Sequence, residues 1–180
     1  MTAPRAVLLA ALGAALTACG TITLKTVDLP DSTLYLPPAS ADANRIVYLT
    51  RDQFEGFTAR LPSAVTVNVT GDAKYTTTLG LGNFQRADVY VRTDLAALRS
   101  DTARCQDRGD YIECSGRVAD EANFRAGTLA VGAGGVQLGG AALQTSIREN
   151  HSYFGLVLTQ GSTSLSDRLD LTNLKARVGL

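Results

Sequence analysis

The sequence predicts an all-β protein, either an antiparallel β-sandwich or a small barrel, with one short helix. Short segments that alternate apolar and polar residues recur along the chain, and Gly, Pro, Asn and Asp separate them at intervals of about 8–15 residues. Helical periodicity is confined to one short stretch. With 180 residues, 45% of them hydrophobic, the chain is long enough to form one domain with its own core.

The first half of the chain after residue 20 carries five strand patterns. Thr21–Leu29 alternates apolar and polar residues and predicts a first strand. Residues 30–43 contain Pro30, Pro37 and Pro38 among small polar residues, a composition that predicts a loop or tether. Further strands are predicted over residues 45–50, 64–71, 74–82 and 87–93, with turns at Gly71–Asp72 and Gly82–Asn83.

The second half adds the helix and the remaining strands. Residues 94–104, with Thr93 or Asp94 as a cap, predict the short helix, and residues 120–125 predict a single helical turn. Strands are predicted over residues 128–140 (a hairpin that turns at Gly134–Gly135), 141–147, 152–159 and 167–180. In the last of these the alternation changes phase at Thr172–Asn173, which indicates a β-bulge.

The N-terminus has the composition of a secretory signal. Arg5 supplies a positive charge, residues 6–16 are almost wholly Ala, Leu, Val and Gly, and small residues lead to Cys19. A membrane-spanning helix needs roughly 20 apolar residues. This run is shorter, and polar residues follow it at once, so we expect a signal that is removed.

The residues at the end of this signal carry a specific pattern. Leu16-Thr17-Ala18-Cys19 resembles the lipobox of bacterial lipoproteins, Leu-[Ala/Ser/Thr]-[Gly/Ala]-Cys, at all four positions. The resemblance implies that the sulfur of Cys19 receives a diacylglycerol, that cleavage precedes Cys19, and that its new amine is acylated with a fatty acid such as palmitate. Two or three chains hold a protein firmly, at about 0.8 kcal/mol per buried methylene. Beyond these residues the chain resembles no family that we can identify.

This resemblance sets the expected organisation and location. Residues 1–18 are the cleaved signal peptide, residues 19–44 the lipid-anchored N-terminal segment and tether, and residues 45–180 the β-sandwich domain. The mature chain of 162 residues is then extracytoplasmic and held to a membrane by lipid at Cys19. Gly20 replaces the Asp that retains such proteins in an inner membrane, so an outer-membrane or surface location is favoured if the envelope has two membranes.

Lipid attachment at Cys19 leaves two cysteines, Cys105 and Cys114, free to pair. Export places them in an oxidising compartment, where a disulfide is favoured over a metal site. If Gly109–Asp110 is the centre of a two-residue hairpin turn, Cys105 faces Cys114 in a non-hydrogen-bonded pair, with Cα atoms about 4.5 Å apart. Gly109 suits a type II′ turn. A wider turn over residues 107–110 would change this register.

Composition and motifs offer no lead to chemistry. The 17 basic and 17 acidic side chains balance, so no nucleic-acid partner is predicted. The one histidine, His151, adjoins Ser152 in a strand pattern, and neighbours in a strand point to opposite faces, so they form no catalytic dyad. Residues 132–140 are Gly-rich but complete no phosphate-binding motif. We therefore predict no catalytic residues, no metal and no cofactor.

Two classes of function are favoured over an enzyme built from dispersed carboxylates and Tyr. The first is a non-enzymatic cell-envelope protein with a binding or structural role, tethered to the membrane through Cys19, whose partner is another envelope protein or a glycan. The second is a carrier that encloses a lipid or small apolar ligand in a cavity of the β-sandwich, because Gly-rich strands and few large aromatics leave space.

Overall fold

The computed structural model describes residues 23–41, 44–53 and 65–179. The signal peptide, the lipobox and Cys19 lie outside the described residues. The strands in the described part are β1 (Thr23–Asp28), β2 (Ser32–Leu36), β3 (Ala39–Ser40), β4 (Arg45–Leu49), β5 (Thr66–Thr76), β6 (Arg86–Arg92), β7 (Cys105–Asp107), β8 (Tyr111–Ser115), β9 (Arg125–Ala130), β10 (Gly132–Leu138), β11 (Tyr153–Gln160), β12 (Ser162–Thr163) and β13 (Asp167–Gly179). The helices are α1 (Ala96–Ser100) and α2 (Gly140–Glu149), and Ala122–Phe124 forms one 3-10 turn.

The strands form one antiparallel sheet of eleven strands and a second sheet of two. The large sheet follows the order β1-β13-β5-β10-β9-β6-β11-β4-β8-β7, and β2 also pairs with β13. The path does not close on itself, so the prediction of an all-β sandwich is confirmed and the barrel alternative is not. The small sheet joins β3, which follows β2, to β12, which follows β11. Because β2 and β11 lie far apart in the strand order, this pairing requires the large sheet to curve.

The inner face of the curved sheet carries the larger of two hydrophobic clusters. Strand β6 shows how the alternation divides the side chains, since Val89 and Val91 enter the large core and Tyr90 enters the smaller cluster. Leu143 and Ile147 of α2 pack into the large core. The smaller cluster comprises Ile46, Tyr48, Tyr90, Leu95, Leu98, Cys105, Ile112 and Cys114. Burial of both clusters supplies the main stabilisation of the fold.

The predicted bulge in the last strand is confirmed, and it explains a wrong prediction opposite it. The register between β13 and β5 shifts between Thr172 and Lys175, and Asn173 has a φ of 52°. Gly71–Asp72, predicted as a turn, lies inside β5 instead. A Cβ at Gly71 would lie 2.7 Å from Leu174 Cδ2, so glycine here permits close approach to the bulged strand rather than a turn.

The predicted strand over residues 141–147 is wrong, because this segment is most of helix α2. Ala, Leu and Gln are good helix formers. Leu143, Ser146 and Ile147 are buried at helical spacing, and Asn150 ends the helix in the left-handed conformation with a φ of 57°. The described part of the chain therefore contains two α-helices, α1 and α2. The helix predicted over residues 94–104 is present only over Ala96–Ser100, and the turn predicted over residues 120–125 is the 3-10 turn Ala122–Phe124. Asp94 Oδ1 accepts a hydrogen bond from the Ala96 amide at 2.9 Å.

The prediction of a loop or tether over residues 30–43 is wrong for most of its described part. Strand β2 pairs with β13 in the register Leu36↔Asp167 and Tyr35↔Arg168, on the edge that also holds β1. Leu34 and Leu36 are buried in the large core. The alternation of polar and apolar residues in Ser32–Leu36 could have predicted this strand. It was missed because Pro30, Pro37 and Pro38 indicated a loop, although these prolines lie just outside the strand.

The hairpin predicted over residues 128–140 is present, but its turn lies at a different position from the one predicted. Strands β9 and β10 pair with Val136 opposite Leu129, which centres the turn between Gly132 and Ala133 rather than at Gly134–Gly135. Similarly, the predicted strand over residues 74–82 ends at Thr76, and the rest forms a loop. That loop contributes to the surface described next.

Candidate interaction surface

One end of the sheet carries no charged residue in three neighbouring segments. These segments, residues 34–41, 75–85 and 160–166, are here called the neutral cap. At the chain average of 19% charged residues, their 26 residues would carry about five charges. The three segments are therefore poor in charge, and charged residues stand at their edges, where Arg168 pairs with Tyr35 and Arg86 pairs with Gln160.

Four large apolar side chains of the neutral cap stand in solvent. Leu81 is 75% exposed, Tyr35 65%, and Leu79 and Leu165 61% each. Only two other large hydrophobic side chains are exposed in the described part of the chain, Val27 and Val131. Scattered exposed hydrophobics need no explanation, but several on one uncharged end indicate an interaction site.

Asp167 joins two of the three segments from beneath. Its carboxylate is fully buried and accepts hydrogen bonds from Tyr75 Oη, from the Thr78 amide at 3.2 Å, and from the amide and hydroxyl of Ser164 at 2.7 and 2.8 Å. Thr78 Oγ1 also donates to the carbonyl of Ser166 at 2.7 Å. Leu79 and Leu165 therefore project from loops that are fixed to each other.

The ionisation of Asp167 follows from these bonds. Burial by itself raises the pKa of a carboxyl group, but the hydrogen bonds from Tyr75, Ser164 and Thr78 outweigh it and lower the pKa of Asp167 from 3.8 to about 2. Burial and the bond to Asp167 raise the pKa of Tyr75 to about 12. Asp167 is therefore a structural anion at neutral pH.

Asn83 adds a second connection between the two segments that Asp167 joins, and Thr163 attaches the third segment, residues 34–41. Asn83 Oδ1 accepts hydrogen bonds from the backbone amide and the hydroxyl of Ser162 at 2.8 and 2.9 Å. The backbone amide of Asn83 donates to the Ser162 carbonyl at 2.9 Å. Thr163 Oγ1, which is buried, donates to the carbonyl of Pro37 at 2.6 Å. The pairing of β3 with β12 completes the connection, so the neutral cap is one rigid unit.

The neutral cap lies at the opposite end of β13 from the first described residue. Thr23 pairs with Gly179, the last residue of β13, whereas Leu36 of the cap pairs with Asp167, its first residue. Thirteen residues at about 3.3 Å each separate these ends by roughly 40 Å. Cys19, the predicted lipid-attachment residue, precedes Thr23 by four positions.

The predicted disulfide is confirmed. Cys105 bonds to Cys114 in the register predicted, with Gln106 opposite Glu113 and a Cα–Cα distance of 4.1 Å. Gly109 has a φ of 90°, and the Arg108 amide donates to the Tyr111 carbonyl at 2.8 Å, which closes the two-residue turn. The disulfide therefore joins β7 to β8 within the hairpin, and both cysteines are packed in the smaller hydrophobic cluster.

A buried charged cluster beside that hairpin was not predicted. Glu121 is fully buried and binds the guanidinium groups of Arg92 and Arg117 and the hydroxyl of Tyr48. Its partner Tyr48 lies 73 residues away in sequence, so no local pattern relates them. Burial raises the pKa of Glu121, but the bonds from Arg92, Arg117 and Tyr48 outweigh it and lower the pKa below its usual value. Both oxygens are occupied by donors, which is the arrangement of a structural ion pair.

His151 and Ser152 form no nucleophile–base pair. His151 Nδ1 lies 2.7 Å from Asp52 Oδ2, and Asp52 Oδ1 accepts a bond from the Ser152 amide at 2.9 Å. Ser152 Oγ is buried and has no hydrogen-bond partner among the residues that the structure describes. Both residues lie just before β11 rather than within it.

Metal-binding and ligand-binding features are limited in the residues that the structure covers. No group of three or more His, Cys, Asp and Glu side chains in residues 23–41, 44–53 and 65–179 could hold a metal ion. A surface groove of about 590 Å³ runs across β5, β10 and β9, and its lining includes Asn68, Thr70, Arg125 and Gln137. It is open and partly polar, unlike an enclosed apolar cavity.

Comparison of the chain with models of known protein families, with curated proteins and with solved structures finds no match. Neither α1 nor α2 has the length and apolar composition needed to cross a bilayer, and no other helix of the described ranges does.

Proposed function

We propose that this protein is a lipid-anchored, non-enzymatic binding protein of the bacterial cell envelope. Lipid at Cys19 attaches it to an extracytoplasmic membrane surface, and the neutral cap faces another envelope component. The role is that of a rigid module that presents a docking surface at a fixed distance from the membrane.

The observation that carries this proposal is the placement of the neutral cap relative to the chain that follows the lipobox. Four residues, Cys19 to Ile22, precede Thr23, and even fully extended they reach only about 14 Å. An anchor at Cys19 thus keeps the Thr23–Gly179 end close to the bilayer. The apolar side chains at the other end of β13 are then free to meet a partner.

The disulfide supports export to an oxidising compartment. Disulfides persist in secreted and envelope proteins and are rare where thiols are kept reduced. Cys105 and Cys114 form a bond that matches the sequence register, which leaves Cys19 as the single unpaired cysteine. That arrangement agrees with a lipid on Cys19.

The carrier alternative has weaker support. A carrier needs an enclosed apolar cavity that buries most of its ligand. The groove across β5, β10 and β9 is open, and Asn68, Arg125 and Gln137 contribute polar groups to it. The large core, where a ligand would lie, is occupied by side chains of the sheet and of α2.

The test replaces the lipid-accepting sulfur. Wild type and Cys19→Ser are expressed in a bacterial host with a labelled fatty acid, and membrane and soluble fractions are compared. We expect label and membrane retention only with Cys19. The Cys105→Ser/Cys114→Ser double variant is the matched control and should keep both. A wild-type protein without lipid, or a Cys19→Ser protein that stays on the membrane, would contradict the proposal.

A further inference from the structure

We propose that the neutral cap binds an uncharged, apolar surface of a second envelope protein, with Leu79, Leu81, Leu165 and Tyr35 as its contacts. This inference rests on the proposed lipid anchor, which fixes the direction of the cap, and it adds the chemical nature of the partner and the contact residues.

The chemistry of the neutral cap selects the class of partner. The three leucines offer no hydrogen-bonding group for a sugar, and the neighbouring charges, Arg168 opposite Tyr35 and Arg86 opposite Gln160, lie at the edge of the cap rather than among the leucines. Thr, Ser, Gly and Asn surround the leucines in these segments. An apolar centre with a small polar rim is the anatomy of a protein–protein interface.

The rigidity of the neutral cap favours docking. The carboxylate of Asp167 fixes the loop of Leu79 to the loop of Leu165, and the side chain of Asn83 holds the loop that carries Leu81 against Ser162. The loop geometry is therefore set before a partner arrives. Preorganised contacts lose little conformational entropy on binding, so few apolar side chains suffice.

The position of the neutral cap disfavours other occupants. With the Thr23–Gly179 end held at the bilayer, the cap is roughly 40 Å away along β13 and its leucines do not reach the anchoring membrane. Two copies anchored in one membrane present their caps in the same direction, so they cannot meet cap to cap. A separate protein is the occupant that fits this arrangement.

The experiment places a photoreactive amino acid on the full lipidated protein in the bacterium that makes it. The probe replaces Tyr35 or Leu165 in the cap. It replaces Gln106 or Thr145 as matched controls, since both are exposed and lie outside the cap and outside the groove across β5, β10 and β9. After irradiation we expect one discrete heterologous protein adduct from the cap positions and none from the controls. Adding Leu81→Ser should reduce its yield about tenfold or more, the effect of losing one buried leucine.

Each other result would overturn the inference. An adduct with the mass of two copies would identify self-association, and lipid adducts alone would identify a bilayer as the occupant. Equal adducts at cap and control positions, or none at any position, would leave the cap without a specific protein partner. Fractionation of the same cells reports the anchor separately, so a failed cap contact is distinguished from a failed lipid attachment.

Discussion

Arg92 and Glu121 form a bidentate ion pair that links the segment around the 3-10 turn to strand β6. Arg92 Nε lies 2.8 Å from Glu121 Oε2, and Arg92 Nη2 lies 2.9 Å from Oε1. The guanidinium also stacks 3.8 Å from the ring centroid of Phe124. A buried pair of this kind stabilises little by itself, but loss of one partner leaves a charge without compensation.

Glu121→Ala should therefore be strongly destabilising. It leaves the guanidinium group of Arg92, which is largely buried, without its carboxylate, whereas Arg117 keeps its pair with Asp101. We expect the free energy of unfolding to fall by about 3–5 kcal/mol. Urea denaturation followed by circular dichroism gives the measurement. The control is Asp28→Ala, which removes an exposed pair with Lys175 and should change stability by about 1 kcal/mol or less. Equal losses in the two variants would contradict a specific role for Glu121.

Asp167 should make the neutral cap sensitive to acid. The pKa of Asp167 is about 2 in the folded protein and 3.8 in the unfolded chain. Its contribution to stability is therefore complete above pH 3.8 and is lost as the pH falls to 2. Melting temperature measured from pH 6 to pH 2 should fall more steeply for wild type than for Asp167→Asn. Tyr75→Phe removes one donor to Asp167 and should shift the wild-type loss to higher pH. Parallel curves for wild type and Asp167→Asn would contradict this prediction.

Structural features that depend on interactions between residues close in sequence could be predicted from the sequence alone. The alternation that changes phase at Thr172–Asn173 is a property of one strand, and the turn at Gly109–Asp110 sets the pairing of two cysteines nine residues apart. Both were predicted correctly. The helix over residues 141–147 was missed because a seven-residue window with Ala, Leu and Ile fits a strand or a helix, and only packing against β9, β5 and β6 distinguishes them.

The candidate surface could be predicted only in part. The lack of charge in residues 75–85 and 160–166 is visible in the sequence, but nothing local indicates that Thr78 and Asp167 meet, because 89 residues separate them. Strand β2 was missed for a related reason, since Leu34 and Leu36 are buried only by pairing with the far end of the chain.

The disulfide should contribute stability without determining the fold. Closing so short a loop contributes about 2–3 kcal/mol in the chain-entropy model. Cys105→Ser/Cys114→Ser should lower the free energy of unfolding by about this amount, with an unchanged far-ultraviolet spectrum, because the β4–β8 pairing still holds the hairpin. Reduction of wild type should reproduce the loss, and it should leave the double variant unaffected. An unfolded double variant would show that the disulfide is required for the fold.

Gly155 should be intolerant of even one added methyl group. A Cβ at this position of β11 would lie 2.5 Å from Cε1 of Tyr48, whose hydroxyl donates to Glu121 at 2.8 Å. Gly155→Ala must therefore displace the Tyr48 ring and weaken its bond to the buried cluster, and we expect a loss of about 1–3 kcal/mol in urea denaturation.

The second variant Tyr48→Phe separates the two causes of this loss. It removes the hydroxyl but keeps the ring that Gly155 accommodates, so the clash remains when it is combined with Gly155→Ala. If displacement of the hydroxyl accounts for part of the cost, Gly155→Ala should cost less in the Tyr48→Phe background than in wild type, since coupled neighbours are not additive. Identical costs would assign the whole effect to the ring, and no cost in either background would contradict the close packing of Gly155 on Tyr48.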